Sequence, residues 1–107
     1  MQKINLKKPI DALDHEIAQE MIGALGRLGR ALEGALLALA EFDAAWPSGL
    51  TLTEQARDER RGHVREASRA LWHFVVQREA CGLRNTRQLL RDYAVPWEVR
   101  DRMGTSL

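Results

Sequence analysis

The sequence is poor in the residues that several common protein classes require. It has one cysteine, Cys81, so the chain can form no internal disulfide, and a single thiol is typical of a reducing compartment. Only two phenylalanines and one tyrosine are present, and polar and apolar residues do not alternate regularly, so a β-rich architecture is not expected. The net charge of +1 gives no overall attraction to nucleic acid or to a membrane surface.

Long uncharged runs are also missing. A membrane-spanning helix needs at least about 18 apolar residues, and Arg27, Arg30 and Glu33 interrupt the most apolar stretch, residues 21–45. The N-terminus carries lysines but no following apolar segment of the signal-peptide type, because acidic residues begin at Asp11. We therefore expect a cytoplasmic protein with no membrane partner.

The stretch from Met21 to Ala45 is instead rich in alanine, leucine and glycine, and it predicts the interior of a long helix. At about 100° per residue, apolar side chains from this stretch and the residues before it fall on one stripe. The stripe consists of Ile10, Leu13, Ile17, Met21, Leu25, Leu28, Leu32, Ala35, Leu39 and Phe42. Proline suits the first turn of a helix, so we expect one helix from Pro9 to Ala45.

A second apolar set lies beside or behind this stripe. It consists of Ala18, Ile22, Gly26, Gly29, Leu36, Leu37 and Ala40. A helix that is apolar on more than one side is normally covered on more than one side, so this helix is expected to have two neighbours. Each of its four glycines lowers helix stability by about 0.8–1 kcal/mol relative to alanine. Close approach of a neighbouring helix would offset this loss, so we expect tight packing at the glycines. The alternative is a helix that kinks or breaks near residues 23–29.

Three further helices are predicted after the first. Thr51 with Glu54, or Thr53 alone, supplies the N-cap of a second helix that runs from about residue 52 to 81 and ends at Gly82. The short link implies an antiparallel hairpin.

Beyond the hairpin, Asn85 with Gln88 resembles a capping box for a third helix over roughly 86–93. Pro96 begins a short fourth helix that stops at Gly104. The residues expected to anchor this tail are Val95, Trp97, Val99 and Met103.

The predicted fold is therefore all-α, a single helical domain over residues 1–107. It comprises a flexible arm at 1–8, a long antiparallel helical hairpin at 9–82 and a tail of two short helices at 83–104. Two such hairpins are expected to pair into a dimeric helical bundle.

Two charged residues intrude into the apolar stripes. Asp14 lies on the stripe of the first helix and Arg78 near the centre of the stripe of the second, and an unpaired buried charge is costly. We therefore expect an internal ion pair between Asp14 and Arg78, with Glu20 as the alternative acid. A charged pocket for a small anion is the functional alternative.

Metal and covalent chemistry are weakly indicated. Asp11 with His15, and Glu59 with His63, have the spacing of four that places two ligands on one helical face, but a hairpin keeps the two pairs apart. Cys81 lies at the edge of an apolar stripe and is expected to be a small buried thiol. We predict no catalytic residue, cofactor or metal, and no enzymatic activity.

The expected function is interaction. A hairpin with a short tail covers one stripe of the first helix and leaves the second set partly exposed, which is uncommon on a monomer. We expect a non-enzymatic scaffold protein that forms a two-fold homodimer through its first helix, with an unidentified protein as a further possible partner. The predicted interface consists of Ile22, Gly26, Gly29, Leu36, Leu37 and Ala40.

The alternative function is that of a nucleic-acid-associated regulator. Residues 54–107 contain eleven arginines against eight acidic residues, and the tail has the outline of a helix-turn-helix. The turn lacks a glycine, however, and the last predicted helix balances its arginines with Glu98 and Asp101. Phosphate binding requires an excess of cations, so nucleic acid is not an expected partner.

Overall fold

The computed structural model of the chain describes residues 9–47 and 49–103. Within these ranges lie four α-helices and no β-strand, which confirms the predicted all-α class. The helices are α1 (Pro9–Ala45), α2 (Glu54–Ala80), α3 (Thr86–Asp92) and α4 (Trp97–Arg102). The predicted arm at 1–8 and the predicted stop at Gly104 lie outside the described residues.

Helix α1 is continuous through its glycines. It has 37 residues, which corresponds to about 55 Å at 1.5 Å per residue, and both of its ends coincide with the predicted ones. The alternative of a break near residues 23–29 is therefore wrong. Packing of its leucines against α2 offsets the low helical preference of glycine.

Local hydrogen bonds fix both ends of α2. The Thr53 side-chain oxygen accepts a bond from the backbone N–H of Ala56 at 3.1 Å, so Thr53 is the N-cap. At the other end Gly82 has a φ of +85°, which glycine adopts without strain. The backbone N–H of Leu83 then donates to the carbonyl oxygen of Arg78 at 2.8 Å, and the chain turns away from the helix axis.

Helices α1 and α2 form the predicted antiparallel hairpin. The rings of Phe42 and His63 lie 5.4 Å apart, and earlier in α1 Gly29 lies against Phe74, later in α2, so the two helices run in opposite directions. The core lies between these helices and beneath the tail. Its buried residues are Leu32, Leu39, Val64, Ala67, Leu71, Phe74, Val75, Leu89 and Val99.

The tail is held on α2 mainly through α4. Val99 is fully buried, and its carbonyl oxygen lies 2.9 Å from the hydroxyl of Ser68, a buried residue of α2. Asn85 caps α3 as predicted, since its side chain accepts a bond from the backbone N–H of Gln88. The prediction that Trp97 anchors the tail is wrong, because Trp97 is 68% exposed and the six-residue α4 uses Val99 as its core contact.

The turn between α3 and α4 has the form that usually requires glycine. Ala94 adopts a φ of +49°, in the left-handed region that costs a side chain with a Cβ about 1–2 kcal/mol. Its N–H donates to the carbonyl of Arg91, and the N–H of Val95 donates to that of Leu90, both at 3.0 Å. This is the same helix ending that Gly82 makes after α2, here made by alanine.

Candidate interaction surface

The N-terminal part of α1 extends beyond the end of α2. Because Gly29 lies against Phe74 and α2 ends six residues after Phe74, the end of α2 is level with about residue 23 of α1. Residues 9–22, hereafter the overhang, therefore project for about 21 Å. In this segment Leu13 is 55% exposed and Ile17 49% exposed, although both belong to the stripe that α2 covers further along.

An apolar groove of about 330 Å³ lies at the base of the overhang, and we refer to it as the end groove. Its lining residues are Ala18, Met21, Ile22 and Leu25 of α1, with Cys81 and Leu83 after the end of α2. The turn at Gly82 creates this groove, because it brings Leu83 back alongside α1 after the helix has ended. Almost all of the exposed lining is apolar.

The two chain segments that contribute residues to the end groove carry charges of opposite sign. Residues 9–20 contain four acidic residues and neither lysine nor arginine, whereas residues 81–92 contain three arginines and one aspartate. Within the described part of the chain, the side chains of Asp14, Arg84 and Arg87 form no ion pair. These charges are therefore not neutralised inside the protomer.

The six predicted interface residues do not share one environment. Ile22 is 68% exposed and Leu37 58% exposed. Ala40 is also exposed, whereas Gly26 and Leu36 are partly buried.

Gly29 must be removed from the predicted interface, because it is buried inside the protomer. A Cβ placed on it would lie 3.2 Å from Tyr93 Oη and 3.4 Å from Phe74 Cζ. At this level the second neighbour of α1 is thus the chain's own tail. The expectation of close packing at a glycine is correct here, but the packing is with two aromatic rings of the same chain.

The predicted ion pair between Asp14 and Arg78 does not form. Asp14 is exposed, and the guanidinium of Arg78 lies over the ring of Phe74, 5.7 Å from its centroid. The register of the hairpin explains the error. From the Gly29–Phe74 contact, Asp14 lies about 22 Å along α1, whereas Arg78 lies only about 6 Å along α2 in the same direction.

One arginine that the sequence did not single out links three helices. The Arg60 guanidinium of α2 donates to both carboxylate oxygens of Asp43 in α1, at 2.8 and 3.1 Å. It also donates to both oxygens of Glu98 in α4, at 2.7 and 2.8 Å. We call these three residues the Arg60 clamp. The hydrogen bonds from Arg60 hold the pKa of Glu98 below its usual value of 4.5, although partial burial acts in the opposite direction.

No sequence signal distinguishes Arg60 from the other arginines of α2. Its two partners are 17 and 38 residues away, so the pairing depends on the hairpin register and on the docking of α4. Glu98 was considered only as an acid that balances the arginines of the last helix, although its place in the first turn of α4, where an acid is favoured, was a further local signal.

A cavity of about 410 Å³ adjoins the Arg60 clamp, between α1 and the turn after α3. Its apolar lining includes three of the predicted interface residues. The lining consists of Leu36, Leu37, Leu39, Ala40, Tyr93, Ala94 and Pro96, together with the clamp. The charged groups at this cavity are already bonded to one another, so they hold the tail against the hairpin.

A family model matches residues 2–106, nearly the whole chain. The chain belongs to the DUF6665 family, a family of unknown function. No curated protein and no solved structure matches it. The role of this DUF6665 chain must therefore be argued from its own residues.

Among the described residues of the DUF6665 chain, the candidate metal and thiol side chains are not assembled into a site. The part of the chain that the structure describes contains no group of three or more metal-ligating side chains. His63 lies against Phe42, His15 is exposed on the overhang, and the side chain of Asp11 lies outside the described residues. Cys81 is partly buried, with its sulfur 3.8 Å from the Gln77 amide nitrogen.

The tail of the DUF6665 chain has a helix, a turn and a second helix, but α4 has only six residues. Its N-terminal turn is bonded to α2 through Glu98, and Val99 faces the core. Arg100 is exposed. None of the helices in residues 9–47 and 49–103 has both the length and the apolar character needed to cross a membrane.

Proposed function

We propose that this DUF6665 chain is a non-enzymatic, cytoplasmic helical protein that acts by self-association through α1. The observation that carries the proposal is the continuation of the apolar stripe of α1 beyond the end of α2. Leu13 and Ile17 remain about half exposed there, although their equivalents further along the helix are covered. A continuous apolar stripe, in contrast to single scattered residues, is typical of a protein contact surface.

The charges of the Arg60 clamp support a role in holding the fold together. The guanidinium of Arg60 is the best-shielded charge among the ion pairs of the described residues, and both of its partners bind it with two oxygens. Such a group stabilises the arrangement of three helices. These bonds use four of the five N–H donors of its guanidinium.

A second copy of the chain is the proposed partner, because soluble homo-oligomers most often pair through a two-fold axis. The interface predicted from the sequence, without Gly29, is the alternative place on α1 for this contact. Ile22, Leu37 and Ala40 supply exposed surface, and Gly26 and Leu36 lie at its partly buried edge. A different protein that binds the same face is compatible with this role, and it is the partner to seek if the chain does not self-associate.

Size-exclusion chromatography with light scattering tests the proposal. The protomer mass is 12.1 kDa, so a two-fold dimer should approach about 24 kDa as the concentration rises through the micromolar range. A mass of one protomer at all concentrations would contradict self-association.

The alternative role, in nucleic-acid binding, is favoured by the unpaired Arg84 and Arg87. A gel shift with duplex DNA tests it, and binding that falls steeply with added salt would support it over the proposal above.

A further inference from the structure

We infer that two copies of the chain associate end to end, with their overhangs antiparallel and each overhang seated beside the end groove of the other copy. This inference rests on the proposed self-association and specifies which part of α1 makes it. Three observations support it: the spacing of the exposed apolar residues, the end of α2 before that stripe finishes, and the opposite charges of the two chain segments that contribute residues to the end groove.

The apolar spacing defines the contact seam. Leu13, Ile17 and Met21 follow one another at intervals of four and lie on one face of α1. From Leu25 onward this face packs against the core, but in the overhang α2 no longer covers it. An antiparallel pairing centred at Ile17 brings the two Ile17 side chains together and places each Leu13 level with Met21 of the second copy. A seam of alternating contacts between two helices of this kind is a normal packing arrangement.

The charges select the antiparallel direction. On the helical projection Asp14 lies about 60° from Ile17, toward Ala18 and Leu25, which line the end groove. Pairing centred at Ile17 brings Asp14 level with Glu20 of the second copy, but Glu20 lies about 120° from Asp14 around the helix. Asp14 instead lies on the edge where Leu83 of the second copy lines the end groove, one residue before Arg84. The acidic overhang of each copy therefore approaches the arginine-rich segment of the other, which is the complementary arrangement. A parallel pairing with the two helices in register would instead place each Asp14 level with Asp14 of the second copy and away from the end groove.

Side-by-side pairing along the middle of α1 is the competing arrangement. It uses neither the exposed stripe of the overhang nor the charges near the end groove. Leu37 and Ala40 would be central to it, but they border the cavity beneath the tail. Such a pairing would leave Leu13 and Ile17 exposed, and the opposite charges would remain apart.

Two variants of the full chain separate the arrangements. The first combines Leu13→Gln with Ile17→Gln, and the matched control is Leu37→Gln, since Leu13 and Leu37 are 55% and 58% exposed on the same helix. Glutamine is a good helix former, so circular dichroism should show an unchanged helix content. Because each change occurs twice in the dimer, the double variant should raise the dimer Kd at least about a hundredfold. The control should change it by less than about threefold.

Dilution series by light scattering or analytical ultracentrifugation give three distinguishable results. A wild-type dimer that the double variant abolishes and the control retains supports the inference. A wild-type dimer that the double variant does not weaken overturns the inference, yet leaves self-association intact. A wild type that is monomeric throughout overturns both.

A charge exchange tests the register independently. At low salt, Asp14→Arg and Arg84→Asp should each raise the dimer Kd by about fivefold to tenfold, and the two changes together should restore much of the affinity. Restoration is expected because the pair is re-formed with its charges exchanged, at both ends of the dimer. Additive weakening in the combined variant would show that Asp14 and Arg84 do not approach each other, which overturns the antiparallel register.

Discussion

Adding a single methyl group to α1 should have opposite effects at Gly29 and at Gly34. Gly34 is exposed, and a Cβ at this position meets no atom within 4 Å. Gly34→Ala should therefore gain the full helical preference of alanine, about 0.8–1 kcal/mol. At Gly29 the same gain is opposed by the contacts of the new Cβ, at 3.2 Å from Tyr93 Oη and 3.4 Å from Phe74 Cζ.

The size of the difference follows from the packing. Overpacking a core typically costs about 1–3 kcal/mol, and Phe74 is buried among core residues that leave it little room to move. Gly29→Ala should thus lower the free energy of unfolding by up to about 2 kcal/mol, once the gain in helical preference is included. The two variants should differ by roughly 1–3 kcal/mol, and each 1 kcal/mol corresponds to about 4–8 °C in Tm for a domain of this size.

Thermal unfolding followed by far-ultraviolet circular dichroism measures this difference. Both variants and the wild type must be compared at one protein concentration, because self-association would otherwise shift Tm by mass action. Equal stabilisation by Gly29→Ala and Gly34→Ala would refute the reasoning, since it would mean that the aromatic rings of α2 and the tail do not press on Gly29.

Three further predictions concern the tail. Ala94→Gly should raise the free energy of unfolding by up to about 1 kcal/mol. Glycine removes the cost of the left-handed backbone conformation, and this gain exceeds the loss from the greater conformational entropy of the unfolded chain. A lower Tm would contradict this. Arg60→Met should lower the free energy of unfolding by about 1–3 kcal/mol, and amide hydrogen exchange should increase first in α4. An equal increase in exchange along the whole chain would show that Arg60 does not hold the tail. Glu98, whose folded pKa is lowered, stabilises the fold above its unfolded pKa, and this contribution is lost as pH falls through the folded pKa. The stability difference between wild type and Glu98→Gln should therefore shrink as pH falls below about 4.5, and a difference that is constant with pH would show that the clamp does not depend on the Glu98 charge.

The local features of the sequence predicted the secondary structure well. The Thr53 and Asn85 caps and the ending at Gly82 operate as expected, because each depends on residues within one helical turn of itself. The length of α1 was also predictable, since its apolar period continues through the glycines. Ala94 shows the limit of such rules, because an alanine there performs the turn that glycine usually makes.

The pairings between helices were less predictable. The Asp14–Arg78 pair was expected from a hairpin register that proved wrong, and an error of a few residues displaces a partner by several ångströms along the helix. The Arg60 clamp was missed for the same reason, since its partners are brought together only by the fold.

The sequence by itself therefore determined that this protein is helical, where its helices begin and end, and that α1 has more apolar surface than one neighbour covers. Only the tertiary structure decided which part of that surface the chain covers for itself. The tail occupies the face around Gly29, whereas α2 ends too early to cover Leu13 and Ile17. The physical reason is that helix formation depends on contacts within one turn, whereas coverage depends on the relative lengths and register of elements that are distant in the chain.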